Sequence, residues 1–184
     1  MLINNSKTRC SWVGSNNSID EQYHDEQWGK PVHDDQRHFE MLILEGAQAG
    51  LSWITILKRR DGYRQVFYNF DVKRVAAMTD DDLEKAMLDP RIIRNRLKVF
   101  STRQNAKVFM EIQKEFGSFD QYVWQFYNKE NSDKRMVTTK ESDALSADLK
   151  RRGMKFVGSI IMQSFMQANG LIDDHQEGCW LYKK

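Results

Sequence analysis

Apolar residues recur three and four positions apart along most of this chain of 184 residues, a spacing that places them on one face of an α-helix. Only two prolines, Pro31 and Pro90, interrupt the pattern, and no pair of alternating segments predicts a β-hairpin. A hydrophobic fraction of 40% is enough for a core at this length. The sequence therefore predicts an all-α fold, organised as one domain over residues 1–184.

Polar caps and glycines mark the first expected helices. Asp34 or Asp35 is suited to begin a helix that stops near Gly50, and Ser52 to begin the next one. Thr79, followed by three aspartates, has the cap and the acidic first turn of a helix start.

The segment around Pro90 predicts a helix, a tight turn and a second helix. Asp89 and Pro90 should end the helix that begins at Thr79, and a longer one should run over about residues 95–116 with Gly117 as its stop. Further helices are expected from Ser118, between Ser142 and Gly153, and over residues 159–169, and residues 128–135 are the most loop-like stretch.

Several classes of protein are disfavoured by the composition. No run of about 18 apolar residues predicts a membrane span, and the first residues lack the apolar stretch of a secretory signal, so we expect a soluble cytoplasmic protein. The two cysteines, Cys10 and Cys179, do not make a disulfide-dense scaffold. A single disulfide between the chain ends and a metal site both remain open.

Basic residues are concentrated in one segment although the net charge is only +2. Residues 91–110 contain no acidic side chain, and their basic residues are Arg91, Arg94, Arg96, Lys98, Arg103 and Lys107. Two clusters would enlarge this patch if folding brought them close: Lys58, Arg59, Arg60 and Arg64, and Lys150, Arg151, Arg152 and Lys155. Such a patch is typical of phosphate contacts, and the alternative is a set of solvated helix faces.

Cysteine and histidine occur together near both chain ends. Cys10 and His24 lie near the N-terminus, and His175 and Cys179 are four residues apart near the C-terminus. Two thiolates and two imidazoles suit a closed, tetrahedral, structural zinc site that would join the two ends. The alternative is a pair of ordinary buried cysteines with unrelated histidines, because the usual two-residue cysteine spacing is absent.

Four aromatic residues and one carboxylate lie within a short N-terminal span: Trp12, Tyr23, Trp28, Glu45 and Trp53. On a helical wheel Glu45 falls at the border of an apolar face, which indicates a partly buried acid. Rings around an acid suit a flat cationic ligand, since each ring would contribute roughly 0.5 to 2 kcal/mol of cation–π attraction. Aromatics at helical spacing are also common in ordinary cores.

Ordered motifs over nearly the whole chain resemble the 3-methyladenine DNA glycosylase type I family of bacteria. The motifs are RCSW (9–12), YHDEQWG (23–29), LILEGAQAGLSWITILKRR (42–60), IIRNRLK (92–98), DALSADLKRRGMKFVG (143–158) and SFMQANGLIDDH (164–175), followed by Cys179. The resemblance implies the helix-hairpin-helix glycosylase fold, with a hairpin-bearing lobe over roughly residues 61–140. It also implies a second lobe, built from the two terminal segments, that holds structural zinc at Cys10, His24, His175 and Cys179.

The resemblance also assigns the site. Glu45 would be the carboxylate that recognises the base and promotes catalysis, Tyr23 and Trp53 the rings that hold it, and Trp28 and Trp12 further lining. Arg91, Arg94, Arg96 and Lys98 would contact the DNA backbone.

The implied activity is base excision by a monomeric enzyme that does not associate with a membrane. It would hydrolyse the N-glycosidic bond of 3-methyladenine in alkylated double-stranded DNA, release the base and leave an abasic site without using a lysine nucleophile. Four positions depart from the family pattern: Asp20, Met154, Ile160 and Gln163. The alternatives are a zinc-stapled DNA-binding module that lacks excision activity and an unrelated helical interaction protein.

Overall fold

The protein is described by a computed structural model over residues 7–14, 17–129 and 136–183. Its helices are α1 (Ser18–Glu26), α2 (Asp35–Gln48), α3 (Trp53–Leu57), α4 (Arg60–Val66), α5 (Val72–Ala76), α6 (Asp80–Ala86), α7 (Arg96–Phe116), α8 (Phe119–Val123), α9 (Lys140–Arg151) and α10 (Ser159–Ala168). Short 3-10 turns lie at Tyr68–Phe70 and Trp124–Phe126. No β-strand occurs in these three ranges, so the all-α prediction is confirmed.

The predicted helix, turn and helix around Pro90 are present. Thr79 caps α6 in a reciprocal capping box with Asp82, which satisfies two backbone N–H groups at once. The side chain of Asn95 accepts a hydrogen bond from the backbone N–H of Lys98 and so begins α7. Gly117 ends α7 with a φ of 89°, a conformation that only glycine adopts readily. Local capping chemistry therefore fixes both helices.

Other boundaries differ from the prediction. Helix α9 begins at Lys140 after a Thr139 cap, and Ser142 is the third helical residue of a second capping box rather than the helix start. Ser118 caps α8 as predicted, but the α-helix ends at Val123 and a 3-10 turn follows. Most of the predicted loop at 128–135 lies outside the described residues.

Helix α2 lies at the centre of the molecule and packs against α3, α7, α8 and α10. Its residues Phe39, Met41, Leu42 and Leu44 are fully buried. The buried apolar side chains form one connected cluster that also includes Cys10 and Cys179. Both ends of the chain are therefore brought against the core that α2 organises, and Glu45, on the last turn of α2, is positioned by the same packing.

One of the predicted basic clusters is used inside the fold. The carboxylate of Glu40 accepts hydrogen bonds from three guanidinium groups, those of Arg37, Arg60 and Arg64. Because Arg60 and Glu40 are both buried, their pairing also avoids the large cost of an isolated buried charge. This cluster ties α4 to α2, so the guanidinium groups of Arg60 and Arg64 are engaged by a carboxylate within the fold.

Helix α4 also approaches the turn before α7 very closely. A Cβ atom on Gly62 would lie 2.5 Å from both the Cβ and the carbonyl oxygen of Arg91. Carbon atoms in ordinary contact are about 3.5 to 4.0 Å apart, so no side chain fits at this position without moving the backbone. The arrangement of α4 against the turn therefore depends on glycine.

We expect Gly62→Ala to lower the free energy of unfolding by about 1 to 3 kcal/mol, the range typical of overpacking. Gly158→Ala is the control, since nothing lies within 4 Å of the Cβ that it would add. Urea unfolding of both variants measures the difference. If the two variants were equally stable, the backbone around Arg91 would be able to move away from α4 at no measurable cost.

Candidate active site

A cavity of about 410 Å³ opens between the N-terminal segment, α1, α2, α3 and α10. The five residues predicted to form a pocket, Trp12, Tyr23, Trp28, Glu45 and Trp53, all line it. The remaining lining residues are Asp20, Gln48, Ser52, Ile54, Ser164, Gln167, Asp174 and Gln176. The structure therefore brings together every aromatic residue and the carboxylate that the sequence pattern singled out.

Short-range structure explains why these side chains converge. Tyr23 lies on α1 and Glu45 on the last turn of α2, while Trp53 is the first residue of α3 after a turn through Gly50 and Leu51. Gly50 has a φ of +79°, which lets the chain reverse direction there. The reversal places the Glu45 and Trp53 walls of the cavity side by side.

The aromatic rings contact one another. The ring centroids of Tyr23 and Trp53 are 5.3 Å apart with planes inclined at 53°, and those of Trp12 and Trp28 are 5.1 Å apart in an edge arrangement. A base held between two parallel rings needs them about 7 Å apart, twice the normal stacking distance. In this arrangement a flat ligand stacks on one ring face, and enclosing it between Tyr23 and Trp53 requires those rings to separate.

Glu45 is a buried acid without a charged partner. Its side chain is only 4% exposed, and burial raises the pKa of its carboxyl group to about 8. Among residues 7–14, 17–129 and 136–183 no group donates a hydrogen bond to it. The hydroxyl of Tyr23 and the indole N–H of Trp53 are likewise buried without a partner in the described chain. An unpaired acid and two unpaired donors thus belong to residues that line one cavity, an arrangement that favours a polar ligand.

The charge of the lining favours a cation. Its titratable side chains include three carboxyl groups, those of Asp20, Glu45 and Asp174, and the lining residues include neither lysine nor arginine. A positively charged ring would therefore find both acidic groups and aromatic faces in this cavity.

Sequence reasoning missed several lining residues that helical spacing could have shown. Gln48 lies three positions after Glu45 on α2, and Gln167 lies three positions after Ser164 on α10, so each pair shares a helix face. Asp20, which the sequence already marked as a departure from the family pattern, precedes Tyr23 by the same interval on α1. Gln48, Ser164 and Gln167 add amide and hydroxyl groups to a site that the sequence described as aromatic rings around one carboxylate.

Of the four departures from the family pattern, one lines the cavity. Asp20 is part of the wall. Gln163 is buried elsewhere, where its amide oxygen accepts a hydrogen bond from the Thr139 hydroxyl, and Met154 is buried in the core. Ile160 is exposed beside the cavity. Of these four residues, Asp20 is therefore the one most expected to change which ligands the cavity prefers.

Three of the four predicted metal ligands form a compact cluster. The ligand atoms of Cys10, His24 and Cys179 all lie within 4.8 Å of one another, and all three residues are buried. His175 lies outside this set, although its ring centroid is 5.1 Å from that of His24 and its Nε2 atom is buried with no partner among the described residues. The donor set therefore fits zinc, with three ligands gathered and a fourth unpaired imidazole nitrogen nearby.

Carboxylates orient both imidazole rings. His24 Nδ1 lies 2.8 Å from Asp25 Oδ1, and His175 Nδ1 lies 2.5 Å from Asp173 Oδ1. Such pairings leave Nε2 of each ring as the candidate ligand atom, as in many histidine ligands of metals. Nε2 of His24 lies 3.5 Å from the Cys10 backbone nitrogen and 3.4 Å from the Cys179 Sγ atom. The cluster also supports the cavity wall, because the Trp28 ring stacks against His24 at 6.1 Å.

Of the four residues predicted to contact DNA, two form ion pairs and one is directed into the protein. Arg91 pairs with Asp89 at 2.6 Å and Arg96 pairs with Glu84. Arg94 is exposed, and no ion pair engages it within the described part of the chain. The ammonium of Lys98 is directed inward onto the end of α2.

Comparison with known proteins places this site in a family. The family model described as methyladenine glycosylase matches residues 12–182 of the chain. DNA-3-methyladenine glycosylase 1 of Escherichia coli (strain K12) is 45% identical over 181 residues, which cover 95% of this chain and 96% of that protein. The chain belongs to the methyladenine glycosylase family. The resemblance found in the sequence motifs is confirmed.

Solved structures of methyladenine glycosylases share the fold. A crystal structure of 3-methyladenine DNA glycosylase I aligns with a TM-score of 0.91 at 42% identity, covering 96% of this chain and 100% of that chain. A tyrosine-to-phenylalanine variant of 3-methyladenine DNA glycosylase I, in complex with 3-methyladenine, aligns with a TM-score of 0.89 at 34% identity over 96% of this chain and 98% of that chain. In the described part of this methyladenine glycosylase, no helix has the length and apolar composition of a membrane span.

Proposed function

We propose that this chain is a DNA-3-methyladenine glycosylase, which releases 3-methyladenine from alkylated double-stranded DNA. The observation that carries the proposal is the cavity in which an unpaired, buried Glu45 faces aromatic rings. A relative at 45% identity has this activity in its name, and a related structure holds 3-methyladenine. The cavity's acidic, aromatic lining matches that ligand, because N3-methylated adenine in DNA is a flat cation.

The reaction asks little of the protein. The base is already positively charged, so when the bond from the sugar carbon to the base breaks, the electron pair moves to the base and neutralises it. Water then adds to the sugar carbon and releases a proton, leaving an abasic site. The lining residues include no lysine that could attack the sugar, which supports simple hydrolysis without strand cleavage.

Glu45 is the proposed recognition and catalytic group. Burial raises the pKa of its carboxyl group to about 8, so this group is largely protonated at neutral pH when nothing charged lies beside it. A cationic base beside it would favour the carboxylate, which then accepts a hydrogen bond from the base's amino group. The Tyr23 hydroxyl and the Trp53 indole N–H provide donors for ring nitrogens of the base. Trp28 and Trp12 complete the wall.

Zinc is the proposed structural ion. Cys10, His24 and Cys179 would hold it, with His175 as the fourth ligand, and the ion would neutralise two closely packed thiolates. Without a cation, burial raises the pKa of the Cys10 thiol to about 12, so the residues alone do not favour thiolates. The ion would join the two terminal segments behind the aromatic wall, a role in stability rather than in the reaction.

The turn before α7 is the proposed DNA-backbone contact, through Arg91, Arg94 and Arg96. The free guanidinium of Arg94 and the backbone N–H groups at the start of α7 both favour a phosphate. We further propose that the chain belongs to the helix-hairpin-helix superfamily. It would form a single domain over residues 1–184, with a hairpin lobe at roughly 61–140 and a zinc lobe built from the two terminal segments. We also propose that the protein is a monomer and is located in the cytoplasm.

We expect Arg94→Met to weaken binding to duplex DNA and to reduce the slope of log binding constant against log salt by about 1, since one phosphate contact is lost. Fluorescence anisotropy with a labelled duplex at several salt concentrations measures that slope. A slope identical to that of the wild type would remove Arg94 from the DNA interface.

The function is tested by incubating the protein with methylated duplex DNA and separating the released bases by chromatography. We expect free 3-methyladenine, with strands that break only after alkaline treatment of the abasic sites. A protein that binds the duplex and releases no base would support the alternative, a zinc-stabilised DNA-binding module. The change at Asp20 would then be the first explanation to examine, because that residue lines the cavity.

A further inference from the structure

Lys98 connects the start of α7 to the end of α2, which carries part of the cavity wall. It lies in the first turn of α7, directly after the turn proposed to contact DNA. Its ammonium does not extend outward with Arg94. Its Nζ atom donates hydrogen bonds to the carbonyl oxygens of Ala47, at 2.8 Å, and Ala49, at 2.7 Å, at the end of α2.

The end of α2 requires such a donor. The last carbonyl groups of an α-helix have no partner within the helix, and the negative end of the helix dipole lies there. Helix α2 has no basic residue in its own last turn, and Ala49 leaves the helix with a φ of −42° and a ψ of 114°. Lys98 supplies the missing cation from another helix. Burial lowers the pKa of its ammonium, which agrees with a side chain drawn in from solvent.

The segment that Lys98 holds carries two walls of the cavity. Glu45 lies just before the two anchored carbonyls, Gln48 lies between them, and Ser52 and Trp53 lie just after them; all four line the cavity. Between Gln48 and Ser52 the chain reverses direction at Gly50. Among the described backbone hydrogen bonds, the one that closes this turn runs from the Leu51 N–H to the Gln48 carbonyl oxygen. The distance between the Glu45 and Trp53 walls therefore depends on how firmly this turn is held.

We propose that Lys98 is a positioning residue of the base pocket: its ammonium clamps the end of α2 and fixes Glu45 relative to Trp53, instead of contacting a DNA phosphate. This rests on the proposed function for its effect on base release. It replaces the DNA-contacting role that the resemblance implies for Lys98. It also links the DNA-binding turn to the pocket through one side chain, since Lys98 belongs to the helix that this turn begins.

The test compares Lys98→Met, which keeps the apolar stem and removes the ammonium, with Lys114→Met. Lys114 is an exposed residue of the same helix outside the basic patch, so the control removes the same charge. Base release is measured in single turnovers at saturating DNA, because saturation separates the rate of the bound complex from DNA affinity. Binding is measured over a salt series, and backbone hydrogen exchange is measured for residues 48–53.

We expect Lys98→Met to slow release from the bound complex by at least about tenfold, since small misplacements at a reacting centre have effects of this size. Its salt slope should match those of the wild type and Lys114→Met, and exchange at residues 48–53 should be faster than in that control. Lys98→Gln, which keeps a hydrogen-bond donor, should recover part of the rate. A merely structural residue would lower the folded fraction without this separation of rate from affinity.

The proposal is overturned if Lys98→Met lowers the salt slope by about 1 and keeps the saturated rate, the behaviour of a phosphate contact. It is also overturned if exchange at residues 48–53 is unchanged, or if neither the methionine nor the glutamine variant folds. Failure of the proposed function is a separate result, in which the wild type itself releases no base. The exchange measurement still decides whether Lys98 holds the turn in that case.

Discussion

Glu45→Gln is expected to reduce the rate of 3-methyladenine release by at least about 100-fold, the scale seen when one buried polar contact to a reacting group is removed. The substitution preserves the shape of the side chain and its ability to accept a hydrogen bond. It removes the negative charge that a cationic base would induce on Glu45. Single-turnover base release at saturating DNA measures the effect, with Glu111→Gln, an exposed change of the same charge on α7, as the control.

The same substitution should make the protein more stable at alkaline pH. The pKa of the Glu45 carboxyl group is about 8 in the folded protein against an ordinary value of 4.5. Above pH 4.5 the unfolded chain loses this proton while the folded chain keeps it, so the contribution of Glu45 to stability declines until the pH passes about 8. Glutamine has no proton to lose and shows no such decline.

Urea unfolding at pH 5 and pH 8 should therefore show that the advantage of Glu45→Gln over the wild type grows by on the order of 3 kcal/mol between the two. If Glu45→Gln is less active but more stable than the wild type, Glu45 serves function and lowers the free energy of unfolding. If the wild type and the variant instead followed parallel curves, the Glu45 carboxyl group would have an ordinary pKa in the folded protein, and the claim that its burial costs stability would have to be abandoned.

Cys179→Ser is expected to have the largest effect on stability. Loss of one thiolate from a four-ligand site should abolish tight zinc binding, and the metal's contribution to folding is then lost. We expect a decrease of on the order of 3 kcal/mol or more, which corresponds to roughly 10 °C in melting temperature for a chain of this length. Base release should fall as well, because the Trp12 and Trp28 rings of the cavity wall contact the His24 ring at 5.5 and 6.1 Å.

Elemental analysis and thermal unfolding test this together. The wild type should contain about one zinc per chain and lose stability when treated with a strong chelator, and Cys179→Ser should contain none and not respond to the chelator. Wild-type protein with reduced cysteines and no zinc, melting at the same temperature as Cys179→Ser, would remove the metal from the account. The buried thiols would then be ordinary core residues.

Sequence reasoning succeeded where the determining interactions are local. The capping box of Thr79, the Asn95 cap and the Gly117 stop lie within a few residues of the helices that they bound, so the pattern predicts them well. Helix α1 was not predicted, and its cap residue Asn17 makes no side-chain capping bond that the sequence could have signalled. Its position depends on the packing of Tyr23 and His24 into the core.

The prediction of the basic patch shows the limit of that reasoning. The concentration of positive charge over residues 91–110 is real, but a sequence does not show which charges are already paired in the fold. The partner of Arg96 is twelve residues away, and the carbonyl of Ala47 that binds Lys98 is 51 residues away. Because of such long-range contacts, the ammonium of Lys98, which the sequence predicts to contact a phosphate, is directed into the protein.

The central claim is that one cavity holds the methylated base, and a crystal structure of the protein with free 3-methyladenine tests it most directly. We expect the base in the cavity lined by Glu45, Tyr23 and Trp53, with its amino group within hydrogen-bond distance of Glu45 and its plane stacked on an aromatic ring. Binding of the base at another site, with this cavity left empty at saturating concentration, would contradict the account.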